Sequence, residues 1–437
     1  MNIAMVHFRV GETDGVSLEM DKWRAVLEKM GHSVFMWSGS ANQHTNWVIP
    51  ALNYQAEYNI RLVENCYNSL VDYPNEQELE HSIREYAVEV EGAFLKAISF
   101  QKIDLIIPNN IFSLGWNLPV AVGLASAIEK SNVLCVCHHH DFYWERKKYA
   151  HPTANLVYDY LRQLFPPDGD NFSHVVINKL AQEVLKNRRN ISSSVVPNVF
   201  DFEQAQWKID PYNSDLKAQL SIPEDAYIVL QATRIVERKG IELAIEFVYE
   251  LNQQLADYES REKNRAVLIF AGQNEEADYY NRLMDFAKKK CVEVIDISSR
   301  VAHSRSQKNG KKIYSLWDVY PHADLVTYPS LLEGWGNQFI EAVFAKKPII
   351  AYEYPVYKSD IAPLGFQTIS LGGQHTRNST GFAEIPINVI QKAAHDAIDL
   401  LKSHKAIKDV VHHNFEIAIE HLSYSSLEQH LKTLIDE

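Results

Sequence analysis

Leu325-Val326-Thr327-Tyr328-Pro329-Ser330-Leu331-Leu332-Glu333-Gly334-Trp335-Gly336-Asn337-Gln338-Phe339-Ile340-Glu341 reads as a short apolar strand, a loop with two glycines and the opening of a helix. The glycines let the backbone approach a ligand closely, and a helix opening at about Asn337 aims its first amides at that ligand. Strand, loop and helix in this order make half of a parallel α/β unit, so the neighbouring sequence should repeat it. Strand candidates lie at 227–232, 266–271, 292–297 and 348–352, with helices expected from Gly240, Ala277, Ile313 and Asn337.

The same alternation occupies the first half of the chain, with strands expected at 2–7, 33–37, 103–108, 133–138, 174–178 and 194–196. Between them run amphipathic helices such as 79–98, where Leu79, Ile83, Tyr86, Val90 and Phe94 share one face and Glu80, Arg84, Glu85, Glu89 and Glu91 face water. The pattern stops around Pro197-Asn198, and 201–223, polar and punctuated by Pro211 and Pro223, reads as a linker. At 437 residues the chain exceeds what one core usually organises. Two Rossmann-like domains, 1–200 and 201–423, are expected, their parallel sheets facing an interdomain cleft where such sheets bind ligands at the carboxyl ends of their strands. No repeat of solenoid length is present.

Bulk properties exclude several classes. A formal net charge of −13 argues against a nucleic-acid partner, and the short basic runs at 145–148, 186–189 and 308–312 read as solvated faces. Cys66, Cys135, Cys137 and Cys291 form no Cys-x-x-Cys pair; Cys135 and Cys137, in an apolar run, read as small core residues. The start, Met1-Asn2-Ile3-Ala4-Met5, lacks a basic leader, and no window nears the ~20 apolar residues of a membrane span. A cytoplasmic protein without stable membrane insertion is expected.

Arg234 offers a planar fork of donors and Lys239 a compact cation just before the helix at Gly240, a pairing that suits a diphosphate. An ordinary charged surface loop is the alternative. Glu341, one turn inside its helix, can accept both hydrogen bonds of a ribose diol, while Glu333 in the loop can reach the hydroxyls of a sugar; acidic residues near a helix start are also favoured by its dipole. In the first half, His138-His139-His140 invites a metal reading, but strand neighbours point to alternating faces, so none is expected there. The loop Gly11-Glu12-Thr13-Asp14-Gly15-Val16-Ser17 follows the first strand without a Gly-x-Gly-x-x-Gly spacing, so no dinucleotide fingerprint is present. Phe142, Tyr143 and Trp144, with Glu145 and Arg146, form either a stacking wall for a sugar acceptor or packing under a loop.

With these residues in order the sequence resembles the retaining glycosyltransferases of family 4, which have the GT-B fold. Glu333 and Glu341, with seven residues between, look like that family's two-glutamate motif; Tyr320-Pro321-His322-Ala323-Asp324 and Pro329-Ser330 match its lead-in, and Arg234 and Lys239 its diphosphate pair. Pro197-Asn198 and the glycine-bearing first loop extend the likeness over nearly the whole chain. Ala345-Lys346-Lys347-Pro348 departs from it, since the family commonly has a glycine there. The stretch from His138 to Arg146, together with Val319 to Ser330, resembles the branch that makes mannosylglucosylglycerate-type compatible solutes.

The resemblance implies a metal-independent hexosyltransferase without a cofactor, which moves a sugar from a UDP- or GDP-sugar to a hydroxyl of a small soluble acceptor, such as a sugar or glycerate glycoside, with retention. It implies catalytic roles for His140, Asp141 and Glu333. Donor contacts would come from Arg234, Lys239, Glu333, Gly334, Trp335, Gly336, Asn337, Gln338, Glu341, Gly15 and Val16, and acceptor contacts from Asp14, His139, Tyr143, Trp144, Arg146 and Asn198. His139 is also the alternative to His140 as the reactive histidine, because the triplet leaves the register open by one. A helix at about 424–437 is expected to cross back to the first domain, and the protein to be a monomer or homodimer. The alternatives are a GT-B sugar-nucleotide epimerase or phosphorylase and, outside enzymes, a two-lobed sugar-binding protein.

Overall fold

The computed structural model describes residues 1–12, 14–256 and 263–436. Thr13 of the first loop and Glu437 lie outside the described residues. The chain divides into two compact units, Met1–Val199 with Tyr424–Glu437, and Phe200–Ser423.

The first unit is built on seven strands: β1 (Asn2–Val6), β2 (Ser33–Ser38), β3 (Trp47–Val48), β4 (Leu105–Pro108), β5 (Leu134–His139), β6 (Phe172–Val176) and β7 (Ser194–Val195). They form one parallel sheet in the order β3-β2-β1-β4-β5-β6-β7. Because helices cover both faces, β1 is apolar from Ile3 to Val6 rather than alternating. Ala4 and Val6 enter one core with the helices Glu76–Gln101 and Leu118–Ser131, while Ile3 and Met5 enter another with Trp23 and Leu27 of the helix Gly15–Lys29. Leu427 and Leu431, one turn apart on the helix Tyr424–Asp436, are buried in that second core. Helix Glu76–Gln101 starts where Asn75 accepts a bond from the amide of Glu78, 3.0 Å away, and ends at Lys102 in a left-handed conformation.

The second unit contains β8 (Ala226–Gln231), β9 (Arg265–Phe270), β10 (Val294–Asp296), β11 (Val301–Ala302), β12 (Ser306–Lys308), β13 (Lys311–Ser315), β14 (Leu325–Tyr328), β15 (Ile349–Ala351) and β16 (Ile369–Ser370). Six make a parallel sheet in the order β10-β9-β8-β14-β15-β16, and β11, β13 and β12 form a small separate one. Two expectations are corrected here. A helix from Ile313 is not found: Ile313 lies in β13, paired to β12 across Asn309-Gly310, both with positive φ. Asn-Gly between short runs is the signal of a two-residue hairpin, and it outweighs the helical reading. The stretch 201–223 is not a free linker, since Asn213 and Leu216 are buried, Tyr212 donates to the Ile313 carbonyl at 2.9 Å, and Asp215 pairs with Lys312 at 2.8 Å.

In both large sheets the strand order reverses once, between β1 and β4 and between β8 and β14. The loops leaving the carboxyl ends of those neighbours diverge and leave the opening where ligands of such sheets bind.

The contact between helices Glu76–Gln101 and Leu118–Ser131 is made close by Gly123, where a Cβ would stand 2.6 Å from the Ala87 carbonyl oxygen. Gly92, on the first of these helices, has open space around it, with nothing within 4 Å of where a Cβ would stand. Gly123→Ala should therefore lower the unfolding free energy by about 1–3 kcal/mol through overpacking, whereas Gly92→Ala should raise it by up to about 1 kcal/mol through helix propensity. Urea unfolding of both variants checks the pair.

Candidate functional site

In the second unit, β8 ends at Gln231, whose amide oxygen accepts from Thr327 Oγ1 of β14 (2.7 Å) while its nitrogen donates to Thr233 Oγ1 (2.6 Å). These bonds fix the start of the loop 232–240. Gly272, after β9, presses so tightly on that loop that a Cβ would overlap the Thr233 carbonyl, 1.8 Å away. Arg234 then extends outward, half exposed, with Nη1 donating to both carboxylate oxygens of Glu275 (2.8 and 2.9 Å).

The loop closes with a turn over Glu237–Lys239 and Gly240 at φ +57°, where a Cβ would approach the Pro329 carbonyl to 2.6 Å. Only glycine fits both the angle and the distance. The two loops thereby seat side by side, with the Leu331 amide donating to the Arg238 carbonyl at 2.9 Å. Lys239, its side chain 4% exposed, forms an ion pair with Glu333 Oε1, and Arg238 Nη1 holds Oε2 at 2.8 Å. Burial pushes the Glu333 carboxyl up, but Lys239 and Arg238 outweigh it and hold the group below its ordinary range. Burial also lowers the Lys239 ammonium, against the attraction of Glu333.

After Glu333, Trp335 is buried and its carbonyl accepts from the Tyr354 hydroxyl. Gly336 sits at φ 153°, and a Cβ there would meet the same hydroxyl at 2.6 Å. Having no side chain, Gly336 does not cap the helix Asn337–Phe344, whose positive end therefore opens with Asn337 and Gln338, both half-buried. Glu341 accepts from the Tyr320 hydroxyl at 3.1 Å.

In the first unit, the ends of β1, β4 and β5 carry the expected residues. Asp14 caps the helix Gly15–Lys29, accepting from the amides of Val16 (3.1 Å) and Ser17 (3.3 Å) and from Ser17 Oγ (2.7 Å), and it faces Arg9 Nε at 3.3 Å. Burial raises its carboxyl, and Ser17 and Arg9 bring it below the usual value. The carboxylate is thus engaged by its own helix, and Gly15, with nothing within 4 Å of a Cβ position, lies open.

The triplet resolves by strand alternation. His140 donates from Nε2 to Asn109 Oδ1 (3.2 Å), and its backbone amide is held by Asn110 Oδ1 (2.8 Å). His7 donates from Nδ1 to the Asn109 carbonyl at 2.8 Å. Burial drives both rings neutral: His140 falls to about 3 and His7 to about 4. His138 stacks on Trp23, ring centroids 4.2 Å apart. His139 points the other way, into the core, bonded to Ser113 Oγ (2.9 Å) and His174 Nδ1 (3.1 Å). That burial corrects its expected place at an acceptor surface. Asp141 pairs with Arg146 at 2.7 Å rather than with His140.

The aromatic segment is packing under a loop: Phe142 is buried, Trp144 stacks on it at 4.4 Å and 8°, and both join Val176, Leu185 and Ile191. Tyr143 packs against the larger core, and Asn198 is buried near the end of the unit.

The structure thus gathers Lys239 and Glu333 in direct contact, with Arg234 close enough to bear on Lys239 electrostatically. It joins Glu341 to Tyr320. Sequence reading missed Arg238, the second cation on Glu333, and Asn109-Asn110, which seat His7 and His140. The signals were present, since Arg238 adjoins Lys239 and Asn109-Asn110 directly follows an expected strand.

The pattern of the family Glycosyl transferases group 1 matches residues 213–365. A mannosylglucosylglycerate synthase of Petrotoga mobilis is 40% identical over 413 residues, covering 92% of this chain and 93% of that protein. One of Thermotoga maritima is 38% identical over 436 residues, 98% of each. A glycosyltransferase structure from Rickettsia africae superposes with a TM-score of 0.64 at 12% identity, over 99% of this chain and 97% of that one. With two parallel-sheet units of the GT-B kind and full-length relatives at this identity, the chain belongs to the group 1 glycosyl transferases and is a glycosyltransferase.

Proposed function

We propose that this glycosyltransferase moves a hexosyl group, a mannosyl by analogy with its relatives' names, from a UDP- or GDP-sugar to a hydroxyl of a small glycosylglycerate acceptor. The observation that carries this reading is the buried Lys239–Glu333 pair, flanked by Arg238 and Arg234 and set beside the uncapped helix at Asn337. Cations and a helix N-terminus at a strand-order reversal suit a diphosphate, and a carboxylate among them suits sugar hydroxyls.

In this reading the bond between the anomeric carbon and the diphosphate oxygen breaks as negative charge grows on the leaving group. Arg234, Lys239 and the amides near Asn337 stabilise that charge without a metal. The acceptor oxygen attacks from the same face and passes its proton to a phosphate oxygen, so configuration is retained and no side chain is alkylated. His140, neutral across the working pH range, contributes a hydrogen bond rather than a charge. Gly334, Trp335, Gln338 and Glu341 would line the donor, and Gly15, Val16 and Asp14 would be further substrate contacts. A cytoplasmic location agrees with this choice of substrates, and among the described residues no helix is long and apolar enough to cross a membrane.

Incubation with UDP- and GDP-mannose and glucosylglycerate should give one glycoside whose anomeric NMR coupling matches the donor. Sugar release or interconversion equal with and without acceptor would replace this reading by hydrolysis or epimerisation. Arg234→Ala should fold normally, because both the arginine and its partner Glu275 are exposed, and should lose about 10²- to 10³-fold in kcat. Unchanged turnover would remove Arg234 from the diphosphate.

Stability should also depend on pH. His7 and His140 have folded pKa values of about 4 and about 3 against 6.5 when unfolded, so the unfolded chain takes up protons first as pH falls. Their contribution is complete above pH 6.5 and is lost progressively below it, by a few kcal/mol between about pH 6.5 and 4. Urea unfolding at pH 7 and 5 should show this slope, and His140→Asn should flatten it.

A further inference from the structure

Apart from the transfer site, the first unit holds a buried set of metal-type ligands. Cys135, Cys137 and His139 alternate onto one face of β5, and His174 of β6 is the direct cross-strand partner of Cys137. One ligand atom each from Cys137, His139 and His174 lie within 4.8 Å of one another, and all three residues are buried. Cys135 Sγ stands 3.6 Å from Cys137 Sγ, and His139 Nε2 stands 3.1 Å from His174 Nδ1. With Zn–S near 2.3 Å and Zn–N near 2.0–2.1 Å, adjacent ligand atoms of a tetrahedral site lie roughly 3.3–3.8 Å apart. The two separations observed are close to such edges.

The ligand atom of His174 in this arrangement is Nδ1, which faces His139, and His174 is itself buried, 5% exposed. On the outer side, His139 Nδ1 meets Ser113 Oγ at 2.9 Å, the kind of bond that orients a ligating imidazole.

We propose that Cys137, His139 and His174 hold a structural zinc ion, which Cys135, its Sγ 3.6 Å from that of Cys137, joins as fourth ligand by a turn of its side chain. Both thiols lose their protons to solvent on binding, so affinity falls in acid. The ion ties β5 to β6 one residue before His140, and its role is to fix where that histidine emerges. It takes no part in the chemistry at the diphosphate. The inference is independent of the proposed acceptor and donor, because every readout below is metal content, spectrum or thermal stability.

The test uses the full chain, purified under reducing conditions without chelators. Elemental analysis should give about one zinc per chain, and Cys137→Ser and His174→Gln should lose most of it. Replacement by Co(II) should produce a near-ultraviolet thiolate charge-transfer band and strong visible bands of tetrahedral cobalt. Cys137→Ser and Cys135→Ser should each weaken the first of these, and the two together should abolish it. Stripping the metal from the wild type should lower its Tm, and zinc should restore it. A folded wild type that carries no zinc, takes none up from zinc chloride and shows no Tm response overturns the proposal. So does a cobalt spectrum that Cys137→Ser leaves unchanged. The wild-type measurements decide the matter if a variant fails to fold.

Discussion

A buried charge must be paired, and in this protein that constraint is met by Lys239 and Glu333. Neither group is tolerable alone where it sits, so the loops after β8 and β14 have to close on each other for either to be stable. Everything around them serves that closure: the positive φ of Gly240 under Pro329, the bond from the Leu331 amide to Arg238, and the Gln231 amide that links the two strands below. Arg238 supplies a second cation, so the cluster carries a net positive charge even before Arg234 is counted. A paired yet electropositive pocket is preorganised for an anionic ligand, because Lys239 is already out of water and held in place by Glu333.

The two units use one topology in opposite electrostatic ways. The reversal between β8 and β14 gathers a buried ion pair, whereas that between β1 and β4 gathers neutral imidazoles and amides beside the part-exposed Arg9–Asp14 pair. His7 and His140 share Asn109 as a common acceptor, through its backbone and its side chain, which fixes the tautomer of both rings. A neutral donor at a fixed place suits recognition of hydroxyls, while the charged unit suits a phosphate.

Much of this architecture is legible in the sequence, and the reasons are specific. Strands buried on both faces leave unbroken apolar runs, so β1, β5, β8 and β14 stand out, and β14 can be placed to the residue. The edge strand β3, two residues long, and the hairpin at Asn309-Gly310 escape such a reading, the first because it is too short to show a period. Glu333 and Lys239 are legible as a pair of types but not as partners, since their contact spans 94 residues of chain. The same limit hides the cluster at Cys137: alternation correctly separates His139 from its neighbours, but only strand pairing brings His174 across to it.

The helix Tyr424–Asp436 has a further consequence for biosynthesis. Phe200 and Ser423 bridge side by side, so the second unit begins and ends at one spot and interrupts the first. A nascent first unit therefore emerges from the ribosome with the patch around Trp23 and Leu27 uncovered, and the whole second unit is translated before Leu427 and Leu431 arrive to shield it. Exposed apolar surface of this kind invites association with other chains or with chaperones, which makes the interval between the two halves of the first unit the vulnerable stage of synthesis.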